Sequence, residues 1–132
     1  MKKILLVAAS FLFISVSQAG IIQCPLTVSC NYEDGVCKYD GSYRFVVDTG
    51  GIEEKFEGNI TANLKTITGS KEPDSSYEFA CKYPYGNHSL IRLYTYAKSL
   101  EGQNWTYSGF GNKSAICTDA SDPRNCGANS IN

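Results

Sequence analysis

Residues 77–96 read YEFACKYPYGNHSLIRLYTY, and this stretch decides the fold of the chain. In its first half, large apolar side chains alternate with small or charged ones, the two-residue period of a strand with one buried face. In its second half, Ile91 and Leu93 alternate in the same way with longer polar and aromatic side chains. The sequence PYGN at 84–87 separates the runs, and proline, glycine and asparagine favour a turn there. The stretch therefore predicts a β-hairpin.

Residues 1–19 have the composition of a cleaved secretory signal peptide. A start with two lysines, typical of bacteria, precedes an apolar run over 4–16, and Ser17 and Ala19 are the small residues that such cleavage sites carry. The run is shorter than the roughly 18–20 apolar residues that span a bilayer. We therefore expect a signal-peptide helix cleaved after Ala19, not a membrane anchor, and no membrane span in the mature chain.

Residues 20–132 have the size of one domain. Removing Lys2 and Lys3 with the signal peptide lowers the formal net charge from −1 to −3. The sequence has no basic cluster that would neutralise phosphates, so we expect no nucleic-acid partner. Export predicts a periplasmic or secreted protein.

The six cysteines all follow the predicted cleavage site, and an even number in an exported chain indicates three disulfides. Zinc is disfavoured because the chain has no Cys-x-x-Cys pair and a single histidine. Six cysteines allow 15 connectivities, so the pairing stays open. The pairs that we expect are Cys117–Cys126 across a polar segment, Cys30–Cys37 across a turn and, as the remainder, Cys24–Cys81.

The rest of the chain predicts an all-β domain. Valine, isoleucine, threonine and tyrosine dominate the ordered runs, glycines separate them, and no stretch after the signal peptide places apolar residues at helical spacing. We expect a disulfide-stapled antiparallel sandwich or small barrel of about seven or eight strands. Residues 42–48 and 59–68 are predicted strands, 98–103 a polar connection, and the segment after Cys126 a frayed tail.

Side chains suited to catalysis are few. His88 is the only histidine, and a small hydrolase centred on it would need a carboxylate such as Glu78 or Asp74 nearby. Its position just after Gly-Asn is more typical of an exposed turn residue. Asp119 and Asp122 offer oxygens for calcium but lack the spacing of a regular calcium loop. We expect no metal and no other cofactor.

Tyrosine and arginine mark a candidate binding surface. Arg92, Tyr94 and Tyr96 alternate onto one face of the second hairpin strand, and Lys82 lies on the first. Interfaces favour aromatic residues and arginine. The alternative is structural cover, since tyrosine also suits strands and keeps its hydroxyl in water.

Three short features carry a resemblance to a family: Cys24-Pro25 after the signal peptide, Cys81-x-Tyr83 at a strand end, and the Trp105 strand before a cysteine-containing tail. On these features the chain resembles a family of small exported bacterial proteins of unknown function. The resemblance implies an exported, disulfide-containing, β-rich domain. It implies no catalytic residue.

The leading functional hypothesis is a non-enzymatic binding domain. Its partner would be a protein, a glycan or an envelope component, held by the Tyr/Arg surface or by a tied loop such as 84–88 or 118–125. The alternatives are the small hydrolase centred on His88 and a purely structural envelope protein.

Overall fold

The computed structural model describes residues 21–31, 33–49, 58–86 and 89–131, which contain eleven β-strands and two short 3₁₀ turns. In chain order the strands are β1 (Ile21–Ile22), β2 (Thr27–Asn31), β3 (Cys37–Lys38), β4 (Val46–Asp48), β5 (Asn59–Asn63), β6 (Thr66–Lys71), β7 (Tyr77–Tyr85), β8 (Ser89–Glu101), β9 (Trp105–Ser108), β10 (Ser114–Cys117) and β11 (Gly127–Ser130). The predicted signal peptide and His88 lie outside the described residues.

The strands form two antiparallel sheets. The main sheet runs β1-β11-β8-β7-β6-β10-β9 and curls into a half-barrel, with β4 paired to the middle of β8. The small sheet runs β3-β2-β5. The all-β prediction is confirmed. The described residues hold more strands than the seven or eight expected, partly because the predicted strand 59–68 divides into β5 and β6, which belong to different sheets.

The predicted central hairpin is confirmed as β7 and β8, paired in register from Tyr77↔Ala97 to Tyr85↔Ser89. The predicted turn at 84–87 was wrong in its first half, because Pro84 and Tyr85 are the last two residues of β7 and pair with Leu90 and Ser89. Its inner face supplies much of the core: Phe79, Cys81, Tyr83, Ile91 and Leu93 are all fully buried. Alternation places the other side chains of both strands on the outer face. The hairpin therefore separates a core face from a surface face.

The segment after Cys126 does not fray, so that prediction was wrong. It forms β11, which pairs with β8 on one side and β1 on the other. Ala128 is fully buried between them. The same pairing extends β8 to Glu101. The predicted polar connection 98–103 was therefore wrong for residues 98–101, which belong to β8. Backbone hydrogen bonds along both edges of β11 stabilise this strand, although its small side chains bury little apolar surface.

An aromatic cluster fills the concave face of the main sheet. Phe79 lies at its centre, with Phe45 stacked at 6.5 Å and Trp105 edge-on at 6.2 Å between ring centroids. Tyr43 packs edge-on against Phe45 at 5.0 Å, and its hydroxyl hydrogen-bonds with Thr95 Oγ1 at 2.6 Å. Residues 42–45 thus cover the cluster, and we call them the lid segment. Of the predicted strand 42–48, only Val46–Asp48 forms a strand, which pairs with β8.

The three expected disulfides are all present: Cys24–Cys81, Cys30–Cys37 and Cys117–Cys126. No described cysteine is free. Such bonds persist in oxidising compartments outside the cytosol, which agrees with an extracellular or periplasmic location. Within the described residues there is no helix with the length and apolarity that crossing a membrane requires.

A second tie accompanies the Cys24–Cys81 bond. The buried Tyr83 hydroxyl donates a hydrogen bond to the Pro25 carbonyl oxygen at 2.7 Å. Cys24-Pro25 and Cys81-x-Tyr83, which carried the resemblance stated above, are thus two halves of one contact. They fasten the N-terminal segment to the central hairpin.

Tyr83→Phe is expected to lower the free energy of unfolding by about 1–2 kcal/mol at pH 7, because the buried Pro25 carbonyl loses its donor. Burial also raises the pKa of the Tyr83 hydroxyl well above its ordinary 10.0. Above pH 10 the Tyr83 hydroxyl ionises in the unfolded chain but stays neutral in the folded protein, which favours unfolding. The contribution of this hydroxyl to stability is therefore complete below pH 10 and falls above it by about 1.4 kcal/mol per pH unit.

The phenylalanine variant lacks this titration, so the stability gap between the two proteins should narrow above pH 10. Urea unfolding of both at pH 7 and pH 11 measures the gap. Parallel pH profiles would show that Tyr83 ionises as readily in the folded protein as in the unfolded chain.

Candidate binding surface

The four predicted binding residues lie together on the outer face of the central hairpin, and we call them the Tyr/Arg face: Lys82, Arg92, Tyr94 and Tyr96. Lys82 lies directly across the strand pair from Arg92, Ala80 from Tyr94, and Glu78 from Tyr96. Partners in such pairs share one face. The structure therefore brings the four residues together, and whether they bind a partner stays a prediction.

Arg92 is held on several sides. Its guanidinium carbon lies 4.3 Å from the centroid of the Tyr94 ring, within cation–π range. One terminal nitrogen donates a close hydrogen bond to Glu78 Oε1, and the other lies 3.9 Å from Asp48 Oδ2. The Arg92 side chain is 23% exposed. The arginine is thus fixed in one orientation, with its charge matched by neighbouring carboxylates.

The aromatic part of the face continues from this stack. Tyr94 and Tyr96 meet edge-on with ring centroids 6.3 Å apart, and Tyr96 is 46% exposed. Partial burial and the Glu78 and Glu72 carboxylates raise the pKa of the Tyr96 hydroxyl. That hydroxyl remains a neutral donor at higher pH than a free tyrosine. Arg92, Tyr94 and Tyr96 form one continuous ladder.

The main sheet extends this face with apolar and hydroxyl side chains. Val46 of β4 pairs with Tyr94, and Ile116 of β10 pairs with Thr68 two strands further along the sheet. Val46 and Ile116 are both about half exposed. Sequence reasoning missed both, because only the pairing of distant strands shows that they share the outer face.

The disulfide-tied loop 118–125 uses its carboxylates internally. Asp119 Oδ1 accepts a hydrogen bond from the Ser121 backbone at 3.1 Å, and the Asp122 carboxylate accepts one from Arg124 Nε at 3.1 Å and one from Asn125 Nδ2 at 2.8 Å. These donors, Arg124 first, lower the pKa of Asp122. In the part of the chain that the structure describes, no group of three or more potential metal ligands occurs. The loop is stiffened by its own side chains.

The tied loop also lines one wall of a groove of about 660 Å³. The N-terminal segment 23–27, Asp40 and Gly41 also line this groove. The hydrolase hypothesis depends on His88, which lies outside the described residues. It stays a prediction.

A third surface was not identified from the sequence. Phe110 forms the tip of the turn between β9 and β10 and is 96% exposed. Gly109 and Gly111 on either side both have positive φ, at 80° and 73°. The sequence does place an aromatic residue between two glycines here. Glycine spacing alone, however, predicts only that a strand is interrupted, and it does not show which side chain of the turn faces solvent.

No protein-family model, curated protein or solved structure matches this chain at a significant level. The comparisons therefore supply neither a family nor a function, and the resemblance to small exported bacterial proteins stays a prediction.

Proposed function

We propose that this chain is a non-enzymatic exported domain that binds a partner protein through the Tyr/Arg face. The observation that carries the proposal is the fixed ladder of Arg92, Tyr94 and Tyr96 on an exposed sheet face. Aromatic residues and arginine supply most of the residues whose truncation costs binding energy at interfaces.

Preorganisation supports this proposal. Ordering a long side chain on binding costs about 0.5–1.5 kcal/mol. Arg92 is already ordered by Glu78 and Tyr94, so this entropic cost would not have to be met again when a partner binds. Glu78 and Asp48 balance the charges of Lys82 and Arg92, so the face offers ring surface and directed hydrogen bonds rather than a strong electrostatic field. Such a surface suits a protein partner better than a phosphate-rich one.

Tyr94→Ala is expected to weaken binding about 30-fold, because truncation of an anchoring aromatic typically costs about 2 kcal/mol. Oxidised protein spanning residues 20–132 is immobilised and incubated with periplasmic and extracellular fractions of the source cells. Quantitative mass spectrometry compares the proteins retained by the wild type and by the variant. His88→Ala serves as a second control and should retain the same proteins as the wild type.

Tyr107→Ala is the matched control. Tyr107 is 44% exposed, close to the 46% of Tyr96, but its pairing with Ala115 places it on the inner face of the sheet. It should leave capture unchanged. Equal capture by the wild type and Tyr94→Ala, or equal losses with Tyr94→Ala and Tyr107→Ala, would overturn the proposal. Retention of glycans but no protein would assign the face to a glycan.

A further inference from the structure

Two adjoining grooves contain none of the residues of the Tyr/Arg face. The larger groove is the one of about 660 Å³ beside the tied loop 118–125, and it alone has the size of a typical ligand site. The smaller groove measures about 220 Å³, and Tyr43 and Phe45 are among the residues that line it. Asp40 and Gly41 line both grooves, so the two grooves meet there.

Asp40 is the charged group at this junction. It is exposed, and its carboxylate makes no hydrogen bond or ion pair with a described residue. Arg124 lines the larger groove, but its Nε donates to the Asp122 carboxylate at 3.1 Å, so these two charges offset each other. Lys38 and Arg44 lie close to Asp40 in sequence but line neither groove. The described lining residues thus leave one negative charge without a counter-charge.

Aromatic side chains line the smaller groove together with this carboxylate. The rings of Tyr43 and Phe45 meet edge-on, with 5.0 Å between their centroids. Aromatic rings attract cations through the negative potential of their faces. A single carboxylate supplies too few oxygens for calcium, which takes six to eight. One carboxylate beside aromatic rings therefore favours an organic cation, such as the ammonium group of a lysine side chain.

The lining of both grooves is fixed before any ligand binds. In the smaller groove, the Tyr43 hydroxyl hydrogen-bonds with Thr95 Oγ1 at 2.6 Å. In the larger groove, the Leu26 carbonyl accepts a hydrogen bond from the Leu64 N–H at 2.8 Å, which fastens the segment 23–27. Such preformed walls are typical of ligand sites and reduce the entropic cost of binding.

We propose that Asp40, Tyr43 and Phe45 bind the basic side chain of an extended peptide whose neighbouring residues occupy the larger groove. The Asp40 carboxylate pairs with the ammonium group, and the rings contact the aliphatic stem. The occupant is a peptide and not a free amine, because the larger groove adds apolar surface next to the cation site. Leu26, which is 58% exposed, supplies part of that surface together with Pro25.

This site does not rest on the partner protein proposed for the Tyr/Arg face. The probe is the peptide Ac-Ala-Lys-Ala-Ala-NH2, titrated into isotopically labelled, oxidised protein spanning residues 20–132. One exposed ion pair contributes little, so the dissociation constant should be about 1 mM, with the largest NMR shift changes at the amides of residues 40–42. The same peptide with norleucine in place of lysine lacks the charge and should bind about tenfold more weakly.

Asp40→Asn should weaken binding of the lysine peptide about fivefold and leave binding of the norleucine peptide unchanged. Asp34→Asn is the matched control, because it changes the net charge equally and Asp34, in the turn between β2 and β3, lines neither groove. It should bind as the wild type does. Leu26→Ala should weaken binding of the peptide but not of n-butylammonium, which is the lysine side chain alone.

No shift change at residues 40–42 up to about 10 mM peptide, or equal binding of the lysine and norleucine peptides, would overturn the inference. Equal losses in Asp40→Asn and Asp34→Asn would do the same. n-Butylammonium binding as tightly as the peptide would contradict the peptide occupant, since the larger groove would then contribute nothing. Tyr94→Ala keeps both grooves, so it should bind the peptide normally while losing partner capture. That variant distinguishes failure of this site from failure of the Tyr/Arg face.

Discussion

Removing the Cys24–Cys81 disulfide with the double variant Cys24→Ala/Cys81→Ala is expected to lower the free energy of unfolding by about 4 kcal/mol. The bond joins positions 57 residues apart in sequence, by far the longest separation of the three disulfides. In the chain-entropy account, a crosslink stabilises by restricting the unfolded chain, and loops of this length give about 4 kcal/mol. A small domain has little stability in reserve against such a loss.

The Cys30→Ala/Cys37→Ala variant is the control, since that bond spans only 7 residues and the same account gives about 2 kcal/mol. Urea unfolding of the wild type and both variants, without reductant, measures the difference. Equal losses from the two variants would show that chain entropy does not set the contribution of the long-range bond.

Phe79→Ala is expected to lower the free energy of unfolding by about 3–5 kcal/mol. The Phe79 side chain is fully buried and contacts both Phe45 and Trp105, so truncation leaves a cavity between the sheet and the lid segment 42–45. Loss of the edge-on and stacked ring contacts adds to the loss of buried area. The cavity cannot fill easily, because Tyr43 is held in place by Thr95.

Phe110→Ala provides the matched control for this prediction. It removes the same side chain from a position that is 96% exposed, and it should change stability by no more than about 0.5 kcal/mol. Urea unfolding of both variants gives the comparison. A loss below about 1 kcal/mol for Phe79→Ala would mean that the aromatic cluster is not the centre of the core.

The sequence alone predicts those features of the fold that depend on a strong pattern within one short segment. The alternation of residues 77–96 predicts the hairpin and its buried face, because every second side chain of a strand points to the same side. The even cysteine count predicts three disulfides. The shared side of Arg92, Tyr94 and Tyr96 also follows from alternation, since it needs only the direction of successive side chains on β8.

Other features depend on pairing between distant segments. The ion pairs of Arg92 require the registers of β7 with β8 and of β4 with β8, which no local pattern specifies. The tail after Cys126 has small polar side chains and looks like a loop, but two neighbouring strands supply its hydrogen bonds. Residues 42–45 alternate like a strand, yet Tyr43 and Phe45 serve the aromatic cluster instead of a ladder.

The central claim is that the Tyr/Arg face is ordered before any partner binds, and side-chain NMR relaxation of Arg92 Nε–H tests it most directly. Arg124 is the internal reference, because its side chain is 78% exposed and its ion pair is with Asp122 of the same loop. We predict an order parameter near 0.85, that of rigid backbone, for Arg92, and one below about 0.6 for Arg124. An Arg92 side chain as mobile as that of Arg124 would contradict the claim.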